Sequence, residues 1–322
     1  MALSEFDIIE RYFTRKQDSD SAVILGMGDD AALLRIPAGM ELAVSVDTLV
    51  SGVHFPAATH PTDIGYKALA VSLSDMSAMG AEPRWATLAL TLPEADESWL
   101  ENFSKGFFEL ADSYGVQLIG GDTTRGPLAI TVQIHGLVPA GTALRRSAAR
   151  SGDLIYVTGE LGDAGVALLM LQNKLTLSSE HGAHVLNRLN RPEPRVKEGL
   201  ALRGIAHAAI DLSDGLAADL GHILKASGVG ATLYMERLPL SPAVTSVLDK
   251  AGGWNLPLNA GDDYELCFTV PRENQTKLQK TIQQFPCRCT CIGMIEETLG
   301  LRCQLVNGEL FEPIRTGYQH FV

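Results

Sequence analysis

The sequence predicts a mixed α/β (α+β) fold in two domains. Strand-like alternation and helix-like periodicity interleave along the chain. At roughly 100–200 residues per domain, a chain of 322 residues divides most simply in two. Residues 139–152, which include Pro139, Gly141 and Gly152, carry no strong period. The expected division is therefore an N-terminal domain over 1–147 and a C-terminal domain over 148–322.

Each element has its own signal. Residues 42–50 alternate, with Leu42, Val44 and Val46 on one face and Ser45 and Asp47 on the other. Residues 63–79 read as a helix, with Thr62 as N-cap, Gly80 as the stop, and Leu69, Leu73 and Met76 as its apolar stripe. A second helix over 95–114 leads to a short strand at 116–119 and a turn at Gly120-Gly121-Asp122. Ile130, Val132 and Ile134 mark a strand over 129–138. In the second domain, a strand at 153–158 precedes Gly159 and a helix from near Asp163. A later helix runs from about Asp214 to Ala226, with Leu216, Leu220, Ile223 and Leu224 inward. The strand 266–270 is the last clear element.

Composition narrows the function. Apolar residues make up 46% and charged residues 20%, enough to bury a core and unlike a disordered chain. Lys and Arg number 26 against 38 Asp and Glu, a net charge of −12. Such a chain is a poor non-specific binder of nucleic acid or anionic membrane. The N-terminus has acids where a secretory signal needs a basic start and an apolar run. The uncharged stretch from Gly126 to Leu144 is broken by Pro127, Gly136, Pro139 and Gly141, so no membrane span is expected. Five cysteines, all between Cys267 and Cys303, read as reduced thiols of a cytoplasmic protein. Cys287, Cys289 and Cys291 fit one face of a strand better than a zinc site. His181 and His184 read as surface residues.

The aspartates carry the chemistry. They sit beside glycines or at strand ends: Asp29 and Asp30, Asp47, Asp122, Asp211 and Asp214, Asp262 and Asp263. Singly, each reads as a turn residue or a helix cap. Asp75 is different, because an acid late in a helix meets the negative end of the dipole at a cost of roughly 0.3–1 kcal/mol. If these acids converge, they must take up protons or bind cations. An oxygen-only set suits hard ions such as Mg²⁺, Mn²⁺ or Ca²⁺. Neither an EF-hand loop, a P-loop nor a complete dinucleotide fingerprint is present.

Six segments in order carry a family resemblance: Leu25-Gly-Met-Gly-Asp-Asp30, Ser45-Val-Asp-Thr-Leu-Val50, Lys67-Ala-Leu-Ala-Val-Ser-Leu-Ser-Asp75, Ile119-Gly-Gly-Asp-Thr123, Asp211-Leu-Ser-Asp-Gly215 and Gly261-Asp-Asp-Tyr-Glu-Leu266. Together they resemble the thiamine-monophosphate kinase family, part of the aminoimidazole-ribonucleotide-synthetase-like ATP-binding superfamily. The resemblance implies an N-terminal α/β domain whose strands build a dimer-spanning barrel, and a C-terminal α/β domain. It implies ATP-dependent phosphorylation of thiamine monophosphate to thiamine diphosphate by a cytoplasmic homodimer. By similarity, Asp30, Ser45, Val46, Asp47, Asp75, Asp122, Asp211 and Asp214 would hold several Mg²⁺ ions. Gly121, Asp122, Arg146 and Ser213 would contact ATP, and His54, Asp262 and Tyr318 the thiamine substrate. Two positions depart from the family pattern. Val46 stands where Thr is common, leaving only its carbonyl as a ligand. Asp262 stands where Glu is common, one methylene shorter.

The implied reaction needs no general base. A phosphate monoester has a second pKa of roughly 6 and is already ionised at neutral pH. Catalysis then reduces to in-line positioning and charge neutralisation, so direct transfer without a phosphoenzyme is expected. Clustered aspartates also serve metal-dependent phosphohydrolases, and a cation-stabilised nucleotide-binding module would share the motifs. Without the family, Arg146 reads as part of a basic linker, and Tyr318 as an aromatic docked on the core.

Overall fold

The computed structural model describes residues 4–15, 22–313, 317, 318 and 320. It divides the chain into two units, Met1–Met76 with Ala81–Gly141, and Ser77–Gly80 with Thr142–Val322.

The first unit contains β1 (Val23–Leu25), β2 (Leu33–Leu34), β3 (Met40–Val50), β4 (Glu82–Leu92), β5 (Gln117–Arg125) and β6 (Ala129–Pro139), with α1 (Glu5–Ile8), α2 (Pro61–Ala78) and α3 (Glu97–Tyr114). Its main sheet has the order β3-β6-β4-β5. Strand β6 is antiparallel to β3 and β4, whereas β4 and β5 are parallel, as the α3 crossover requires. The predicted stripe of α2 is buried: Leu69, Leu73 and Met76 are at most 1% exposed. Helices α2 and α3 approach closely because both are glycine at the crossing. A Cβ on Gly65 would lie 2.1 Å from the Phe103 carbonyl oxygen, and one on Gly106 would lie 1.8 Å from that of Thr62. Helix α3 is capped by Asp96, whose carboxylate accepts from Ser98 and Trp99.

One expectation is corrected here. Gly120-Gly121-Asp122 is not a turn. It continues β5, pairing in parallel with Thr87, Leu88 and Ala89. The register shifts between Ala86 and Thr87, passing over Ile119 just before the glycines, and the strand runs on. The alternation of β3 is as expected. Its polar face, with Ser45 and Asp47, turns towards α2, while Leu42, Val44 and Val46 are 41%, 50% and 60% exposed.

The second unit carries β7 (Leu154–Thr158), β8 (Ala208–Asp211), β9 (Gly230–Tyr234), β10 (Leu266–Val270), β11 (Cys289–Glu296), β12 (Gly300–Gln304) and β13 (Leu310–Phe311). Its helices are α4 (Asp163–Leu171), α5 (Ser179–Asn190), α6 (Val196–Leu202), α7 (Leu216–Ser227), α8 (Pro242–Val247), α9 (Asn255–Asn259) and α10 (Gln275–Ile282). The seven strands form one sheet in the order β13-β12-β9-β11-β7-β10-β8. Strands β7 and β10 at its centre are buried and mostly apolar because both faces are covered. Ile155, Val157, Ile210 and Cys267 pack with the α7 residues Leu216, Leu220 and Ile223. Tyr156, Ala209 and Phe268 pack on the opposite face with Leu202 and Leu278. Helix α7 begins at Leu216, two residues later than expected. Gly215 is its N-cap, and the buried Asp219 accepts from the Asp214 and Gly215 amides.

Candidate active site

In the first unit the structure brings Ser45, Asp47 and Asp75 together. Ser45 Oγ donates to Asp75 Oδ2. Ser72, one turn before Asp75 on the same helix face, donates to Asp47 Oδ2 at 2.9 Å. Burial, and then the Asp75 charge, push the Asp47 carboxyl up to about 6. Two carboxylates and two hydroxyls therefore share one pocket of oxygen donors. The acids repel one another unless a proton or a cation lies between them. This donor set fits a hard dication. The sequence reading missed Ser72, although its i−3 spacing from Asp75 places it on the same face.

The other expected residues of this unit lie apart from that pair. Asp30 is exposed in the segment between β1 and β2, where its amide donates to Asp29. Val46 projects from the opposite face of β3. Asp122 and Gly121 are exposed on β5, the far edge of the sheet. His54 follows β3, and its Nδ1 accepts the Val50 N–H at 3.0 Å. A neutral ring so held carries its proton on Nε2. Lys67, only 2% exposed on α2, donates to the His54 carbonyl at 3.3 Å.

In the second unit, two expected segments are laced into one body. Asp211 ends β8, opposite Leu266 on β10. Beyond it, the Leu212 amide donates to the Glu265 carbonyl, the Tyr264 amide to Leu212, and the Asp262 amide to Ser213. Gly261 permits this approach, since a Cβ there would sit 2.4 Å from the Ser213 carbonyl oxygen. Asp262 and Tyr264 both take positive φ, 67° and 49°, costing roughly 1–2 kcal/mol each. Arg146 is exposed in a 3₁₀ turn, and its charge acts on Asp219. Burial comes first among the causes that push Asp219 up to about 7. Tyr318 is 49% exposed, and its amide donates to the Asp214 carbonyl at 3.0 Å. It lines a groove of about 800 Å³ with Asp214, Ala217, Gly221 and Leu301.

Beneath the 261–264 turn lies a buried ion triad that sequence reasoning missed. Glu265 accepts from Arg195 Nε and Nη2, both at 2.6 Å, from Arg188 Nη2 at 2.5 Å and from Thr158 Oγ1 at 2.7 Å. Burial works against the Arg195 charge, but the Glu265 hydrogen bonds and charge hold its guanidinium above the ordinary value. Asp263 accepts the Gly162 N–H through both oxygens, and burial drives its carboxyl well above the usual range. The only sequence signal for this brace was the motif running from Gly261 to Leu266.

Among the described residues, one group of His, Cys, Asp or Glu donors lies at metal-ligand spacing: Glu160, Asp163 and His184. It contains none of the expected aspartates. His184 is exposed, as expected of a surface residue, and its Nε2 meets the buried Asp163 at 3.0 Å. The other Asp163 oxygen accepts from Ser241 at 2.6 Å. Cys287, Cys289 and Cys291 are free and half-buried. Burial pushes the Cys287 thiol up to about 12, which makes it a poor nucleophile or ligand.

Two family models match the chain: AIR synthase related protein, N-terminal domain, over residues 28–138, and AIR synthase related protein, C-terminal domain, over residues 150–306. They define its class. A thiamine-monophosphate kinase of Salmonella typhimurium is 55% identical over all of this chain and 99% of its own length. The crystal structure of a thiamine-monophosphate kinase from Stenotrophomonas maltophilia is 48% identical, with a TM-score of 0.86 over 97% of this chain and 99% of that one. The structure of AaThiL complexed with AMPPCP and TMP is 31% identical, with a TM-score of 0.78 over 89% of each chain. The chain belongs to the thiamine-monophosphate kinase family.

Proposed function

We propose that this protein transfers the γ-phosphoryl group of ATP directly to thiamine monophosphate, giving thiamine diphosphate and ADP. The observation that carries the proposal is the 55% identity to a thiamine-monophosphate kinase across the full chain. The AaThiL complex, with AMPPCP and TMP, supports a nucleotide and a phosphorylated acceptor as the substrate pair.

Asp30, Ser45, Asp47, Asp75, Asp122, Asp211 and Asp214, with the Val46 carbonyl, are the residues proposed to hold Mg²⁺. When bound, Mg²⁺ neutralises phosphate charge and lets two anionic substrates approach an acidic site. Gly121, Asp122, Arg146 and Ser213 are assigned to ATP. The Arg146 guanidinium suits bidentate contact with phosphate. His54, Asp262 and Tyr318 are assigned to thiamine. His54 offers a hydrogen bond from Nε2, Asp262 a carboxylate for a cationic substrate, and Tyr318 a ring face at the rim of its groove. The acceptor oxygen is already ionised, so no side chain need remove a proton. No phosphoenzyme forms.

The exposed apolar face and unpaired edge of β3 support a homodimer built along that strand. Among the described residues no helix is long and apolar enough to cross a membrane. The free cysteines fit the cytoplasm.

The test measures ADP formation with and without thiamine monophosphate, Mg²⁺ and chelator. Kinase activity requires the acceptor and the metal together. ADP that ignores the acceptor means a phosphohydrolase, and ATP-dependent thermal stabilisation without turnover means a binding module.

A further inference from the structure

We propose that Tyr264 is a positioning residue for the thiamine substrate, acting through Asp262. The proposal rests on the assignment of Asp262 to thiamine made above. Tyr264 Oη donates to Asp262 Oδ1 at 3.0 Å. The bond spans two residues that both have left-handed backbones, with φ of 67° at Asp262 and 49° at Tyr264. The bond thus joins two side chains of one tight turn. The phenol takes one carboxylate oxygen and fixes the plane of the group, so the second oxygen has a set direction.

Holding the turn is the work of other bonds. The Asp262 and Tyr264 amides are tied to Ser213 and Leu212. Asp263 grips the Gly162 amide, and Glu265 is clamped by Arg188, Arg195 and Thr158. The ring itself is buried at 8% exposure. Phenylalanine therefore keeps the ring packing and the backbone bonds, and removes the hydroxyl that orients Asp262. A carboxylate one methylene shorter than the family's common glutamate has less freedom to find a substrate by itself. Its aim matters correspondingly more.

The experiment is a double-mutant cycle of Tyr264→Phe and Asp262→Ala, read by steady-state kinetics and thermal unfolding. Tyr264→Phe raises KM for thiamine monophosphate roughly five- to tenfold, the scale of one lost hydrogen bond. It leaves kcat and KM for ATP within about twofold and the melting temperature unchanged. In the Asp262→Ala background, the same substitution adds nothing. An unchanged KM in the single variant overturns the proposal. So does an equal rise with Asp262 already removed, or a rise in both KM values with a lower melting temperature. An Asp262→Ala enzyme that binds thiamine monophosphate normally also overturns it, while leaving the kinase reading intact. A native enzyme that makes no ADP in response to thiamine monophosphate removes the kinase reading, and the proposal with it.

Discussion

Asp75→Asn keeps the side-chain shape and removes one negative charge, and its effects on stability and activity should run in opposite directions. Two carboxylates about 4 Å apart repel by about 4 kcal/mol at an effective dielectric near 20. Burial and this repulsion raise the Asp47 carboxyl from 3.8 to about 6, so proton uptake relieves the pair only near and below that pH and the repulsion persists at pH 7.5. That rise corresponds to about 3 kcal/mol. Burial is its larger cause and the Asp75 charge the next, so removing Asp75 returns on the order of 1 kcal/mol. For a chain of this size that is about 2–4 °C in Tm. The asparagine carbonyl still accepts from Ser45, so the local packing survives. Activity, in contrast, falls at least about 100-fold, because a charge assigned to hold Mg²⁺ beside the phosphates is gone. The assays are thermal unfolding in chelator at pH 7.5 and ADP formation with thiamine monophosphate and Mg²⁺. An apo variant less stable than the parent, or one with near-normal turnover, refutes the reasoning.

Asp47 gives a pH signature. Its folded pKa is raised, so the stability it contributes to the metal-free protein is greatest below about pH 4, falls between about pH 4 and 6, and is level above. Mg²⁺ affinity in calorimetry should accordingly weaken below about pH 6, with proton release that vanishes by pH 8. Lysine at both Val44 and Val46 places charges on the apolar face of β3 and should reduce a dimer to monomers in light scattering; an unchanged mass counts against β3 as the interface. Gly261→Ala forces a Cβ to within 2.4 Å of the Ser213 carbonyl oxygen, at about 1–3 kcal/mol, and should lower both Tm and activity. An alanine variant with the parent's melting curve would mean that the two segments are not tightly joined.

The fold class and the α2 stripe were legible from periodicity, although α2 is buried on every side from Lys67 to Ser74, polar residues included. Much of the second unit was not. Strand β8, Ala208-Ala-Ile-Asp211, is buried on both faces and carries no alternation. Helix α5 is polar enough to read as a loop, yet it supplies Arg188 to Glu265 and His184 to Asp163. The glycine pair at 120–121 sent the reading of β5 to a turn, because glycine marks turns and strand irregularities alike. For the site, spacing alone gave acids but no partners. Ser45 and Asp75 are 30 residues apart, and Glu265 and Arg195 are 70 apart. No local rule connects such pairs. The motif set supplied the grouping, and the hydrogen bonds supplied the physics.

The sheet of the first unit also constrains how its acids can act. Asp47 shares a row with Val132, Leu88 and Gly121, while Asp122 shares the next row with Ala89, Thr131 and Thr48. Adjacent rows of a pleated sheet point to opposite faces. The burial agrees, since Leu88 and Val132 are at most 4% exposed while Thr48, Ala89 and Asp122 are all exposed. Strands β3 and β5 are moreover the two edges of the sheet, three strand spacings or about 14 Å apart. A Mg²⁺ ion reaches its ligands at about 2.1 Å. No single ion can therefore join Asp47 to Asp122 of the same chain. If both acids of one chain hold metal, they hold different ions. A second copy docked on β3 would add acids to the open face without moving Asp47 from its place against α2. On the proposed assignment, the Asp47–Asp75 pair and Asp122 of one chain act on the charge of the substrates from separate places.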